Sequence, residues 1–330
     1  MINPSTLMFS LTLISGTLIS ITSSSWLGMW MGLEMNLLSF IPLINKNKTP
    51  YENESTMMYF LVQAMASVLF LAAVLLNELT TFSMNNQSIF LISMALLMKM
   101  GAAPFHFWFP GVMEGIDWIN CFILMTWQKI APFILISYKL VNNLIIVAII
   151  MSTLVGSIGG LNQNSIRKIM AYSSISHLGW MLSAMMISNN LWLIYFIIYL
   201  MMNISVIYLF HTQSLYNISQ VYYNKNKPTI KFSMMIGMLS LAGLPPFLGF
   251  LPKWMVIQNM VLEDYLLMVV FIVMMTLMTL YFYMRVMFSS FMFINQELKW
   301  VLSKSPSEYM NMSIMISIIG IPMLSWLLLY

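Results

Sequence analysis

Long hydrophobic runs without a charged side chain dominate the sequence. Crossing a bilayer takes a helix of about 20 apolar residues, and most of these runs reach that length. Their apolar residues are continuous rather than alternating, which favours helices over the strands of a membrane β-barrel. The runs without Lys, Arg, Asp or Glu are residues 1–33, 55–77, 79–98, 140–166, 169–224, 232–252, 265–284 and 309–330. The pattern therefore predicts an all-α, polytopic membrane protein.

The same pattern predicts about eleven transmembrane helices in a single membrane domain. The run 169–224 is long enough for two of them. The predicted helices are residues 4–22, 26–44, 57–76, 88–108, 118–138, 142–160, 169–187, 191–211, 233–260, 265–288 and 311–329. The ninth of these is long and contains several prolines.

Composition excludes the main soluble classes. The 330 residues are 60% apolar and 7% charged, against roughly 45–50% and about 25% in soluble domains. A single cysteine, Cys121, excludes an internal disulfide and a cysteine-built metal site. The first basic residue is Lys46, so we expect neither a cationic signal peptide nor an Arg-rich transit peptide.

The distribution of basic residues predicts the orientation. Eleven spans put alternate loops on opposite sides, and ten basic residues then fall on the side of the N-terminus, against only Lys139 on the other. The ten are Lys46, Lys48, Arg167, Lys168, Lys225, Lys227, Lys231, Arg285, Lys299 and Lys304. The positive-inside rule places that side toward the cytoplasm-like compartment.

A motif that occurs twice predicts an internal repeat. The pattern Gly-x-x-Pro-Phe-x-x-x-x-Pro begins at Gly101 and again at Gly243. Because proline removes a backbone donor, we predict that the fourth and ninth helices are broken. The two lie five spans apart and so run in opposite directions, which predicts inverted repeats over 1–138 and 142–290 and a C-terminal helix at 311–329. Paired broken helices are typical of an ion pathway, although glycine and proline are also common in membrane helices.

Four charged residues fall well inside predicted spans, namely Glu34, Lys99, Lys129 and Lys253, whereas Arg285 lies near the end of the tenth. A lysine at the bilayer centre costs about 2.5–3.5 kcal/mol on insertion scales, so a functional role is the default hypothesis. A carboxylate near a buried lysine favours its protonated form. Glu34 and Lys99 could therefore act as a switch for proton release, with Lys129 and Lys253 as relay stations. The alternative is a static ion pair that holds helices together.

Two histidines are further candidates for the relay. His106 lies in the first predicted helix break and His177 in the seventh span. Histidine exchanges protons near neutral pH, but a hydrogen-bonded packing role fits both residues equally well. The sequence contains no P-loop, no Gly-x-Gly-x-x-Gly pattern and no metal-ligand cluster, so we expect no nucleotide, metal or nucleic-acid binding by motif.

Five segments around these charges and breaks resemble a known family. They are SSSWLGMWMGLEMNLLSFIPLI (23–44), KMGAAPFHFWFP (99–110), MTWQKIAPF (125–133), GSIGGLNQNSIRKIMAYSSISHLGWM (156–181) and LAGLPPFLGFLPKW (241–254). Together they resemble the subunit 2 family of mitochondrial NADH:ubiquinone oxidoreductase, respiratory complex I, in its shortened animal form. The resemblance runs along nearly the whole chain, and it is weakest over 212–232 and the C-terminal residues.

The resemblance implies an antiporter-like core subunit with eleven helices and no redox site of its own. Its role would be proton translocation, coupled to electron transfer from NADH to ubiquinone in other subunits. The family's acidic residue falls on Glu34, the paired lysine on Lys99, the central lysine on Lys129 and the exit-side lysine on Lys253. NADH, FMN, iron–sulfur clusters and ubiquinone would be bound elsewhere in the complex.

The resemblance also implies a location and partners. The chain would lie in the mitochondrial inner membrane, with its N-terminus and basic loops toward the matrix. Its neighbours would be other membrane-arm subunits, including antiporter-like ones, and lipids such as cardiolipin. Two rival hypotheses are a self-sufficient cation/proton antiporter and an inert membrane spacer. The shortage of membrane acids argues against the first, and the cost of the buried lysines against the second.

Overall fold

The computed structural model describes residues 4–46, 49–79, 85–223 and 228–291. Within these ranges the chain is helical, apart from loops and one isolated β-bridge between Ser165 and Asn217. The helices of the described part are α1 (Pro4–Thr22), α2 (Trp26–Ile44), α3 (Pro50–Leu79), α4 (Asn85–Met100), α5 (Trp108–Gly115), α6 (Trp118–Met125), α7 (Trp127–Tyr138), α8 (Asn142–Gly159), α9 (Ile166–Ile187), α10 (Asn189–Thr212), α11 (Ile218–Tyr223), α12 (Pro228–Ala242), α13 (Phe250–Leu262) and α14 (Leu266–Phe291).

The all-α membrane fold is confirmed. Ten of the eleven predicted spans coincide with one or two of these helices, and the eleventh, 311–329, lies outside the described residues. Of the predicted basic loop residues, Lys48, Lys225, Lys227, Lys299 and Lys304 also lie outside them. In the described part, seven spans are long and apolar enough to cross a membrane: Pro4–Thr22, Trp26–Ile44, Pro50–Glu78, Trp118–Tyr138, Asn142–Gly159, Asn189–Thr212 and Leu266–Ser289.

Helix α9 is long but less apolar than these spans, and its surroundings explain why. Serines 173, 174, 176 and 183 all lie on it and are buried. Each hydroxyl donates to the carbonyl three residues earlier, at 2.7–2.8 Å. The helix therefore satisfies its polar groups internally while neighbouring protein covers it.

Both predicted helix breaks are present. Helix α4 ends at Met100 and α5 begins at Trp108, while α12 ends at Ala242 and α13 begins at Phe250. The first residue after each ending helix is a glycine with positive φ, +72° at Gly101 and +81° at Gly243. Glycine adopts this left-handed conformation without the steric cost that a Cβ brings. The shared motif therefore produces the same backbone conformation at both positions, a left-handed glycine directly after the helix end.

The fifth span differs from its prediction as one continuous helix, because it is interrupted at Thr126. Helix α6 ends at Met125 and α7 begins at Trp127, and Thr126 between them has φ −119° and ψ −72°. The Thr126 hydroxyl donates to the carbonyl of Phe122 at 2.6 Å. A threonine hydroxyl that donates to the carbonyl four residues earlier often bends a helix.

The described chain forms two compact units, residues 1–152 and 153–330. In the first, α1 and α2 pack so closely at Gly32 that a Cβ there would lie 2.4 Å from the backbone nitrogen of Ser20. In the second, a Cβ on Gly156 would lie 2.5 Å from the backbone nitrogen of Ser176. Small residues thus allow close helix packing in both units. The predicted repeats, 1–138 and 142–290, remain a prediction.

A half-buried arginine fixes one loop of the second unit. Arg285 on α14 donates through Nη1 to the carbonyl of Leu161 at 2.7 Å and through Nη2 to the carbonyl of Gln163. The same loop continues into the β-bridge between Ser165 and Asn217. The connection between α8 and α9 is therefore held by side-chain and backbone hydrogen bonds together.

Candidate functional site

Lys99 lies in the last turn of α4, directly before the first helix break. The side chain is buried, with 6% of its surface exposed. The position suits a cation because the partial negative charge of a helix lies at its C-terminal end. The backbone carbonyl of Lys99 accepts a hydrogen bond from Nε2 of Gln63 on α3 at 3.1 Å. This bond holds the backbone of α4 at Lys99 against α3.

Glu34 on α2 is half-buried and acts electrostatically on two groups, the ammonium of Lys99 and the phenol of Tyr59. Among the described residues, no carboxylate comes within 4 Å of the Lys99 ammonium. The two predicted switch residues thus interact through space rather than as a contact ion pair. A separated pair changes its interaction strongly with small movements of either group, because the Coulomb energy depends on distance.

A small polar cavity lies beside Lys99. Its volume is about 10 Å³, close to the smallest space that holds one water molecule. Polar residues from four helices line it, together with three apolar ones: Asn36, Tyr59, Gln63, Lys99 and Gln128, with Leu33, Leu37 and Pro132. The lysine therefore faces groups that can exchange hydrogen bonds.

Lys129 is the most deeply buried of the three lysines, with 1% of its surface exposed. It is the third residue of α7, directly after the break at Thr126. Its Nζ lies 5.2 Å from the centroid of the Phe109 ring, within the range of a cation–π interaction. An aromatic face thus contributes to stabilising this cation.

Lys253 lies in the first turn of α13, directly after the second helix break. The side chain is 8% exposed, and its Nζ donates to the carbonyl of Ala242 at 2.7 Å and to that of Leu241 at 3.5 Å. These carbonyls belong to the last turn of α12, where helix geometry leaves them without intrahelical partners. Gly243 makes the approach possible, because a Cβ there would lie 2.9 Å from the Lys253 nitrogen.

The two candidate histidines have different environments. His106 lies between α4 and α5, where its Nδ1 is 3.2 Å from the Pro104 carbonyl and its ring stacks against Phe107 at 4.2 Å. His177 on α9 is 2% exposed, and its Nδ1 is 2.8 Å from the hydroxyl of Tyr195. Both are hydrogen-bonded, which fits a packing role and a relay role alike.

The structure divides the candidates between its two units. Glu34, Lys99, Lys129 and His106 belong to the first unit, and Lys253 and His177 to the second. No group of three or more His, Cys, Asp or Glu side chains in the described part of the chain is close enough to hold a metal ion.

Sequence reasoning missed the polar residues that surround Lys99. Two of them, Tyr59 and Gln63, line the cavity beside Lys99 and belong to a buried polar stripe of α3 with helical spacing: Glu52, Ser55, Thr56, Tyr59, Gln63 and Ser67. Intervals of three and four residues place these side chains on one helix face. The same spacing is visible in the sequence, and polar residues at that interval inside an apolar run would have indicated the face that turns to the protein interior.

A known protein family and curated relatives match this chain over most of its length. The family described as "NADH:quinone oxidoreductase/Mrp antiporter, TM" matches residues 23–279. The chain belongs to this family. Among curated relatives, NADH-ubiquinone oxidoreductase chain 2 of Anopheles gambiae is 50% identical over 312 residues, covering 92% of this chain and 91% of the relative. The chain 2 protein of Locusta migratoria is 47% identical over 306 residues, covering 91% and 90%.

Two solved structures have a similar fold. A chain of respiratory complex I from Thermus thermophilus with bound aureothin superposes with a TM-score of 0.82 at 21% identity, covering 96% of this chain and 77% of that one. A chain of the membrane-bound sulfane sulfur reductase, an archaeal respiratory membrane complex, gives 0.82 at 19% identity, covering 97% and 73%. The structures support the fold, and the curated relatives confirm the resemblance to a core membrane subunit of complex I.

Proposed function

We propose that this chain, as a core membrane subunit of NADH:ubiquinone oxidoreductase, takes part in proton translocation through Glu34, Lys99, Lys129 and Lys253. The observation that carries the proposal is the burial of three lysines in an apolar membrane chain, with exposed fractions of 6%, 1% and 8%. Ionisable groups inside membranes are costly and mark ion and proton pathways.

The first unit supplies an electrostatic switch. The Glu34 carboxylate favours the protonated form of Lys99, and a change arriving from a neighbouring subunit moves or neutralises the carboxylate. Lys99 then releases its proton through the adjacent polar cavity, and Lys129 of the same unit receives protons. His106, in the break next to Lys99, is the candidate relay of this unit.

In the second unit, Lys253 is the exit-side group. Its ammonium is held by the carbonyls of Ala242 and Leu241, which accept hydrogen bonds best from the charged form. Proton release therefore requires these bonds to weaken, so that a movement of the α12 end relative to α13 controls the lysine. His177, bonded to the Tyr195 hydroxyl, is the candidate relay of this unit.

Redox chemistry belongs to other subunits in this proposal. NADH, FMN, iron–sulfur clusters and ubiquinone are bound elsewhere, and this chain contributes only proton movement. It lies in the mitochondrial inner membrane, with the N-terminus and basic loops toward the matrix. Other antiporter-like subunits are its partners, and lipids such as cardiolipin bind its basic side, since anionic headgroups are attracted to basic residues near the membrane surface.

Family membership bears on the two rival hypotheses. A self-sufficient antiporter needs a cation site, and the chain 2 relatives are named as parts of NADH-ubiquinone oxidoreductase. An inert spacer gives no reason for a lysine that is 1% exposed between apolar helices. Both observations favour the coupled proton-translocating subunit.

Glu34→Gln in the assembled complex tests the proposal. The amide keeps the size of the side chain but removes the charge that acts on Lys99. We expect normal assembly and a several-fold lower rate of NADH-driven proton uptake into sealed vesicles. Glu54→Gln, the same change at an exposed position of α3, is the matched control and should pump normally.

Normal pumping by a fully assembled Glu34→Gln complex would remove Glu34 from the relay. An equal loss in both variants would attribute the effect to charge in general rather than to this site.

A further inference from the structure

A proline in α7 stands at the cavity beside Lys99. Pro132 lies inside this helix, is buried, and lines the cavity together with Gln128 and Lys99. Proline has no N–H, so it cannot donate to the carbonyl four residues earlier. In α7 that carbonyl belongs to Gln128. The carbonyl of Gln128 therefore lacks its usual helical donor, and both Gln128 and Pro132 line the polar cavity.

The side chain of Gln128 is already engaged. Its Nε2 donates to Oδ1 of Asn36 at 2.9 Å, and its Oε1 lies 3.5 Å from the Tyr59 hydroxyl. The side-chain amide consequently links α2, α7 and α3 and is held in place. Neither of these contacts involves the backbone carbonyl of Gln128.

The Lys99 ammonium has three donors to satisfy in the same region. The cavity volume of about 10 Å³ is near the limit for one water molecule and too small for a chain of them. A buried water needs two to four polar partners. The Gln128 carbonyl, the Lys99 ammonium and the Tyr59 hydroxyl belong to residues that line this cavity and would together supply that number.

We propose that Pro132 and Gln128 build a site for one water molecule that links the Gln128 carbonyl to the Lys99 ammonium. Pro132 is then a positioning residue, because it frees the carbonyl that holds the water. The water in turn fixes the direction of a Lys99 N–H bond. The role in proton release rests on the function proposed above, whereas the water site itself does not.

Pro132→Ala tests the site, because alanine restores an N–H that can bond to the Gln128 carbonyl. Pro42→Ala is the matched control: Pro42 also lies inside a helix of the first unit, α2, but does not line the cavity. Both variants are studied in the assembled complex. The readouts are a density map that resolves ordered water and the pH profile of proton uptake.

In the wild-type map we expect one water at about 2.7–3.2 Å from the Gln128 carbonyl oxygen and the Lys99 nitrogen. Pro132→Ala should lose this water, lower proton uptake several-fold and displace its pH profile, while Pro42→Ala should change none of these. A wild-type map with no water there overturns the inference, even if the variant does not assemble.

The remaining outcomes separate this inference from the proposed function. If Pro132→Ala loses the water but keeps its pumping rate and pH profile, Pro132 has no positioning role. An equal loss of pumping in both proline variants overturns that role too. In either case Glu34→Gln still decides the proposed function by itself.

Discussion

At the scale of single residues, each buried lysine is stabilised by a different arrangement. Lys253 bonds to the free carbonyls at the end of α12, Lys129 lies over the Phe109 ring, and Lys99 combines a helix C-terminus with the charge of Glu34. Moving a charge out of water costs several kcal/mol unless such partners replace the water. These partners therefore also set how readily each lysine gives up its proton.

Gly243→Ala should disturb Lys253 without changing its chemistry. The new Cβ would lie 2.9 Å from the lysine nitrogen, and the φ of +81° costs a non-glycine residue roughly 1–2 kcal/mol. We expect pumping to fall about as far as in Lys253→Met, with both variants measured as proton uptake at equal complex content.

The control for this prediction is Gly237→Ala, whose Cβ would meet only a methyl group of Val206 at 2.9 Å. This contact involves no backbone atom and no positive φ, so a small shift of the methyl group should leave pumping intact. If Gly243→Ala pumps normally, the bond from Lys253 to the Ala242 carbonyl has no part in the relay.

At the scale of elements, helix ends inside the membrane are the main feature. A helix that ends in the bilayer exposes carbonyls that water cannot reach, and these need partners from the protein. At the first break the indole nitrogen of Trp108 donates to the carbonyl of Met98 at 3.2 Å. At the second, Lys253 takes the corresponding role. Both breaks begin with a left-handed glycine, but different side chains cap the helix ends.

Arg285→Met should loosen the loop between α8 and α9. It leaves the half-buried carbonyls of Leu161 and Gln163 without their guanidinium donor, and the net contribution of a hydrogen bond to stability is about 0.5–1.5 kcal/mol. We expect a lower temperature of thermal inactivation, and Arg285→Lys should give an intermediate value because one donor can remain. Unchanged inactivation temperatures would show that the β-bridge between Ser165 and Asn217 holds the loop alone.

At the scale of the whole molecule, hydrophobic runs predict the helices well because a bilayer requires about 20 apolar residues per span. The Gly101 and Gly243 motifs likewise predict the breaks, since proline chemistry acts locally. The break at Thr126 was not predictable in this way, because one hydroxyl that shares the Phe122 carbonyl with the Thr126 backbone N–H has no clear sequence signal.

The candidate site was predictable in its charges but not in its surroundings. A lysine in an apolar run is conspicuous, whereas Tyr59 and Gln128 are ordinary residues until folding places them beside Lys99. The distance between Glu34 and Lys99 also depends on how α2 and α4 are placed, so the separation of this pair could be learned only from the structure.

The central claim is that protons pass through the buried lysines, and Lys129→Met tests it most directly. Methionine fills a similar volume but carries no proton, and Lys46→Met at an exposed position is the control. The measurement is the rate of NADH-driven proton uptake by assembled complex in sealed vesicles. The account predicts a several-fold loss for Lys129→Met and none for Lys46→Met. Wild-type proton uptake by a fully assembled Lys129→Met complex would contradict it.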